Sequence, residues 1–310
     1  MDPTSERQHA TSTPRAYLDR GLQLEQAGAL ERALEMYRQV LAQDPSVTEQ
    51  IEAHIRIARV HRAATAWGKS RAESSEAIRL AETAGVDDLA AEAMNVEVGA
   101  LQMRGSFDQA DNMATRALEL ARSPRVRGII LQNLGRSAAE RRDFETSDRY
   151  FSESVEAFRG AGYEIGLAVA LTNAAKAALD RGDPHRSLEI GQEAIVLSRR
   201  LNALDVLLTA VQNQAAAFVE LGNLDDAELL LTEALGHFTS ARNYLRQAEC
   251  LEIMGQMSES GSGDHDTAIR CYSRARDLAR GAGDQTLYDR LTRRLEMARA
   301  SRHGGNAAMP

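Results

Sequence analysis

Apolar and small residues return along this chain at steps of three and four, with charged residues filling the positions between. Ala110, Ala114, Ala117, Leu118 and Ala121 form one such stripe, and Ser70, Ser74, Ala77, Ile78 and Ala81 repeat it in the same phase. That is the period of an amphipathic α-helix burying one face. No β-branched or aromatic run alternates with period two, so strands are not expected. The six prolines, at 3, 14, 45, 124, 184 and 310, all fall in tails or at predicted helix ends, where a missing N–H does little harm. Ser123-Pro124 and Asp183-Pro184 read as a cap followed by a first helical residue. The pattern predicts an all-α fold.

A turn signature punctuates the helices. Its clearest copies are Gly28-Ala-Leu-Glu-Arg-Ala33, Gly105-Ser-Phe-Asp-Gln-Ala110, Gly182-Asp-Pro-His-Arg-Ser187 and Gly222-Asn-Leu-Asp-Asp-Ala227. Weaker ones begin at Thr65, Arg142 and Gly263. The seven anchors stand at 28, 65, 105, 142, 182, 222 and 263, at intervals of 37, 40, 37, 40, 40 and 41 residues. Such regularity marks a repeat architecture. Each copy predicts a helix–turn–helix unit. The anchor takes a tight turn, and the next residue is usually of N-cap type, as in Ser106, Asp143, Asp183, Asn223 and Asp264.

Repeat one carries Tyr17, Gly21, Leu24, Gly28, Ala33, Tyr37 and Pro45, and later copies keep Gly135, Phe151, Ala215, Ala234, Gly255, Tyr272 and Ala275. With these residues the chain resembles the tetratricopeptide repeat (TPR) family from residue 14 to about 283. Its units run to about forty residues against the usual thirty-four, and so look like those of bacterial regulators and adaptors within that family. The resemblance implies a right-handed α–α superhelix, a TPR solenoid of seven helical hairpins. Residues 284–300, with Leu287, Leu291, Leu295 and Ala298 on one face, read as a C-terminal capping helix. Residues 14–300 are thus expected to form a single domain, with 1–13 and 301–310 as disordered tails. Ser258-Glu-Ser-Gly-Ser-Gly263 lengthens the turn of repeat seven.

Charge narrows the function classes. The net charge of −8 and pI near 5.5 oppose direct nucleic-acid binding. No apolar stretch approaches the roughly 18–20 residues that span a bilayer, so no membrane insertion is expected. The segment MDPTSERQHATSTP lacks the apolar core of a secretory signal. Cys250 and Cys271 are too few for a disulfide scaffold and suit a reducing, cytoplasmic location.

Candidate chemistry is sparse. Ala63-Ala-Thr-Ala-Trp-Gly68-Lys69-Ser70 fits a relaxed phosphate-loop pattern, but that chemistry needs a strand before the loop. Here the preceding residues 51–60 read as helix, and the segment coincides with the turn of repeat two. His54 and His61 share a helix face without a third ligand at metal spacing. Asp264 and Asp266 are explained as first-turn acids. Met94, Met103, Met254 and Met257 read as core, with an adaptable surface as the alternative. No catalytic motif appears, so no enzyme activity, cofactor or metal is expected.

The informative stripe lies on the first helix of each repeat. Nine residues before the anchor, repeats four to six all carry Asn: Asn133, Asn173 and Asn213. Asn is a poor mid-helix residue because its amide competes for backbone bonds. Three residues later stand Arg136, Lys176 and Ala216, and seven later Glu140, Asp180 and Glu220, all on one helical face. Arg56 and Arg59 occupy the first two of these positions in repeat two. In the family this face lines the inner groove, where Asn resembles residues that clamp a peptide backbone. The expectation is a non-catalytic scaffold or adaptor holding an extended peptide or partner tail in the groove of repeats four to six. The alternatives are a sensor or regulatory subunit of a bacterial signalling or transcription complex, and a self-associating structural subunit. Against the groove stands a plain structural reading, in which each Asn bonds to a neighbouring helix and the charges form solvated i,i+4 pairs.

Overall fold

A computed structural model describes residues 13–306, which form fifteen α-helices and one π-helical turn, with no strand among them. The first compact unit ends at Gly162 and holds four hairpins: α1 (Pro14–Gln26) with α2 (Leu30–Leu41), α3 (Val47–Ala63) with α4 (Trp67–Ala84), α5 (Asp87–Met103) with α6 (Phe107–Leu120), and α7 (Pro124–Glu140) with α8 (Phe144–Ala161). The second starts at Tyr163. It holds α9 (Glu164–Asp180) with α10 (Pro184–Arg200), α11 (Leu204–Glu220) with α12 (Leu224–Ser240), α13 (Tyr244–Met257) with α14 (His265–Ala282), and a closing helix α15 (Gln285–Asn306). The described residues therefore make seven hairpins and a cap, as the repeat pattern predicts. Of the stretch 1–13 read as a tail, only Thr13 is described, and its side chain accepts from the Ala16 N–H to cap α1. Helix α15 runs on to Asn306, into the stretch 301–310 also read as a tail; residues 307–310 lie outside the described residues.

All seven anchors adopt the left-handed backbone, with φ of +75° at Gly28, +55° at Thr65, +75° at Gly105, +60° at Arg142, +85° at Gly182, +73° at Gly222 and +68° at Gly263. In this turn the next N–H reaches back to a carbonyl of the first helix, as Ala29 does to Leu24 and Asn223 to Phe218, each at 2.8 Å. Thr65 and Arg142 hold the conformation without the glycine that makes it cheap, at a cost of about 1 kcal/mol each. A second left-handed series, at Gly85, Gly162, Asn202, Arg242 and Gly283, joins hairpin to hairpin and carries no common sequence signature. Three of the five expected caps make the side-chain bond. Asp143, Asp183 and Asp264 accept from the N–H groups of Thr146, Arg186 and Thr267. Those bonds hold all three carboxyls below their ordinary pKa. Ser106 and Asn223 cap by position only.

Within each hairpin the two helices touch at small residues. Five positions after the anchor stand Ala33, Ser70, Ala110, Ser147, Ser187, Ala227 and Ala268, every one fully buried. Where the residue is Ser, two of the three hydroxyls find an acceptor: Ser70 donates to the Ala58 carbonyl at 2.9 Å and Ser147 to that of Gly135 at 3.0 Å, whereas Ser187 Oγ is buried without a partner among the described residues. In hairpins one, four and seven a glycine on the first helix receives an aromatic ring from the second. A Cβ on Gly21 would stand 2.3 Å from the Tyr37 ring, one on Gly135 2.9 Å from Phe151, and one on Gly255 2.5 Å from Tyr272. The glycine lies seven residues before its anchor in hairpins one and four, but eight before it in hairpin seven. The π-helical turn Ser258–Ser262 absorbs the extra residue. The Asp264 N–H accordingly reaches Ser258, five residues before the anchor, at 2.9 Å. Helix α15 buries Leu287, Leu291, Leu295 and Ala298 against α13 and α14. It is also pinned by Arg290 and Arg294, which both donate to the buried Glu252 carboxylate at 2.8 Å.

Candidate functional site

In the first unit the polar stripe of α7 meets α5 through a network of side chains. Asn133 Nδ2 donates to Asn95 Oδ1 at 2.6 Å, and Asn133 Oδ1 accepts from Arg136 Nη2 at 2.9 Å. Arg136 also donates to Gln102 Oε1. Gln102 turns its Nε2 to the Asn133 carbonyl and to Ser137 Oγ, each at 2.7 Å. The network forms because α5 and α7 are successive first helices, so their equivalent faces lie side by side. It walls a cavity of about 600 Å³ that three predicted residues line: Asn133, Arg136 and Glu140. Arg62, Gly99, Met103 and Gln132 complete its chemistry. Such a volume lies in the usual range for ligand pockets.

Electrostatics single out Arg62. Burial, reinforced by the charges of Arg59 and Arg136, pushes its pKa down to about 10. Among the described residues its guanidinium makes no hydrogen bond or ion pair. It lies across Gly99, where a Cβ would stand 2.2 Å from Nη1. Burial lowers the Arg136 pKa as well, against the raising influence of Glu140. Gln132 Nε2 is buried without an acceptor. Arg56 and Arg59 stay outside the cavity lining and face carboxylates instead: Arg56 lies 4.0 Å from Glu25, and Arg59 pairs at 3.2 Å with Glu92, which Arg125 shares.

In the second unit the same positions look different. Asn213 is buried, 7% exposed, and its Nδ2 donates to the Thr172 carbonyl at 3.1 Å. Thr172 and Asn95 hold the same place, ten residues before their anchors, so Asn133 and Asn213 each tie a hairpin to the one before it. Asn173 is half-buried. Lys176 is exposed and pairs with Asp180 four residues on, Nζ to Oδ2 at 2.6 Å. Glu220 lines a second cavity of about 430 Å³ with Gln212, Ala216, Ile253, Gln256 and Met257. Asn213 does not line it.

Sequence reasoning missed Arg62, Asn95, Gly99, Gln102 and Gln132. A signal existed for some of them. Ten residues before the anchor, repeats three, four and six carry the amides Asn95, Gln132 and Gln212, which flank the Asn stripe by one position. The methionines divide: Met94 and Met254 join cores, whereas Met103 and Met257 line the two cavities. The phosphate-loop match lies in the hairpin turn after helix α3, with Ser70 buried on the Ala58 carbonyl. His54 Nδ1 sits 2.6 Å from Glu73.

No family model and no curated protein matches the sequence. The fold does match solved structures. A signal transduction ATPase with numerous domains and a tetratricopeptide-repeat sensor, from Pyrococcus horikoshii, aligns with a TM-score of 0.66 at 13% identity, over 90% of this chain and 44% of that one. A Rap protein complexed with competence and sporulation factor aligns with a TM-score of 0.59 at 13% identity, over 86% and 79%. Aspartyl phosphate phosphatase F from Bacillus subtilis aligns with a TM-score of 0.59 at 12% identity, over 95% and 82%. This chain thus spans under half the length of the archaeal ATPase. The shared architecture is the tetratricopeptide-type helical-repeat solenoid. No helix among the described residues is long and apolar enough to cross a membrane.

Proposed function

We propose that this helical-repeat chain is a non-catalytic interaction module that binds a peptide or partner tail on the polar face of its first helices. One observation carries the reading: Asn133, Arg136 and Glu140, picked out by their repeat positions, line a single cavity in the first unit. In this reading Asn133 is a positioning residue. Both ends of its amide are engaged, and its Oδ1 holds Arg136. Arg136, Glu140 and the cavity meet the partner; Lys176, Asp180 and Glu220 hold the corresponding repeat positions in the second unit. Three side-chain hydrogen bonds at about 0.5–1.5 kcal/mol each fall short of the ~8 kcal/mol of a micromolar complex. Apolar contact at Met103 and Phe107 must supply the rest.

A sensor or regulatory role is the second reading. The archaeal structure of this fold is described as carrying a repeat sensor, and the Rap structure is a complex with a named factor. The phosphatase name borne by a third is the reason to assay phosphate release alongside binding. The test is photo-crosslinking in native lysate, with a benzophenone amino acid at Met103 or at Leu229, which is 59% exposed on α12. A discrete adduct from position 103 and none from 229 is expected. Equal adducts from both, or none, remove the reading.

A further inference from the structure

We propose that the cavity of the first unit is a carboxylate receptor: it takes an acidic side chain of the bound segment against Arg62, with apolar neighbours of that acid resting on Met103 and Phe107. The inference rests on the peptide-binding reading above and adds the chemistry of what is bound.

Four observations converge on it. Arg62 is a partly buried cation with no carboxylate within ion-pair distance, Glu25 acting on it only from further off, and burial of such a charge costs free energy unless something else neutralises it. Gly99 holds the space for its guanidinium, because any Cβ there would fall 2.2 Å from Nη1. Gln132 adds a buried Nε2 donor with no acceptor. Arg136, the second cation of the lining, bonds only to the neutral oxygens of Gln102 and Asn133. The nearby arginines are already opposed: Arg59 by Glu92 and Arg56 by Glu25.

Charge selects the ligand class. The charged lining is Arg62, Arg136 and Glu140, two positive groups and one negative, which leaves a single charge to neutralise. A monoanionic carboxylate matches that, and the planar guanidinium fork accepts it bidentately. A phosphate monoester, with nearly two negative charges at neutral pH, would meet Glu140 unfavourably. The remaining lining is apolar at Ala63, Met103, Phe107 and Ile129, and Met103 is 60% exposed. A flexible thioether suits an apolar residue next to the acid.

The experiment uses the full chain labelled with ¹³C at the methionine methyls. Met103 reports the cavity, and Met297, 69% exposed in the second unit, serves as reference. The probes are acetylated and amidated pentapeptide pools with randomised flanks and a central Glu, Gln or phosphoserine, plus sodium acetate, all at equal ionic strength. The Glu pool is expected to shift Met103 at a concentration at least about tenfold lower than the Gln pool. Arg62→Gln should erase that difference with helicity and unfolding midpoint retained, since the guanidinium makes no hydrogen bond or ion pair among the described residues. Gly99→Ala should weaken the Glu pool alone by displacing the guanidinium. Equal shifts from Glu and Gln pools overturn the carboxylate inference while leaving peptide binding in place. Tighter binding of phosphoserine overturns the single-charge argument. Acetate acting as well as the Glu pool shows an adventitious ion only, and overturns the peptide occupant. Silence from every probe overturns the receptor, and the crosslinking experiment then decides the wider reading separately.

Discussion

Asn133 and Asn213 stand at the same position of two repeats, donate in the same direction, and end in different surroundings. Asn213 is buried and gives its amide to a backbone carbonyl; three residues on stands Ala216. Asn133 is half-exposed and gives its amide to another side chain, and its oxygen steadies Arg136 at the edge of a cavity. The repeat supplies the tie in both cases. What the tie does depends on the residue three positions later and on whether the preceding hairpin offers a side chain or a carbonyl. Asn213 therefore reads as a structural tie, and Asn133 as a tie that also steadies a residue lining a cavity.

The comparison breaks most sharply at Glu252, the buried carboxylate that pins α15. Glu252→Ala should destabilise the protein by about 2–3 kcal/mol, toward the lower end of buried ion pairs because Arg290 and Arg294 remain partly solvated. Urea unfolding followed by circular dichroism measures it, and a loss under about 0.5 kcal/mol would mean the cap is held by its leucines alone. Next comes the Asn pair. Asn213→Ala should cost about 1–2 kcal/mol by the same measurement, and Asn133→Ala less than about 1 while weakening peptide capture. The reverse order would assign the structural role to the wrong unit.

Turns sharpen the contrast further. Hairpin turns of the second unit all carry glycine, whereas Thr65 and Arg142, next to the cavity residues Arg62 and Glu140, do not. Thr65→Gly and Arg142→Gly should each raise stability by about 1 kcal/mol, read as a higher melting temperature. The smallest effect is acidic. The capping carboxyls of Asp143, Asp183 and Asp264 have folded pKa values below their unfolded ones. Their contribution is therefore fully present above the unfolded value, near pH 3.9, and is lost as pH falls through the folded values. Asp183→Asn with Asp264→Asn keeps the caps without titration, and should flatten the acid limb of melting temperature against pH. An unchanged limb would place acid sensitivity in other carboxylates.

The helices, the seven anchors, the buried small residues and the leucines of α15 were legible in the sequence because each is a local or strictly periodic constraint. A left-handed turn restricts which residue is cheap, and a helix face repeats every three to four positions, so both leave marks in one dimension. The Asn stripe was legible as a pattern, but its hydrogen bonds were not, because the acceptors lie on the preceding hairpin about forty residues away. Arg62 carried no mark at all: an arginine near a helix end is ordinary until Gly99 and Gln132, from two other hairpins, are set around it. Periodicity thus determined the architecture and where each hairpin turns. Only the packing of successive first helices decided which polar groups are satisfied and which are left facing a cavity, since burial and pairing belong to neighbours that sequence distance does not record.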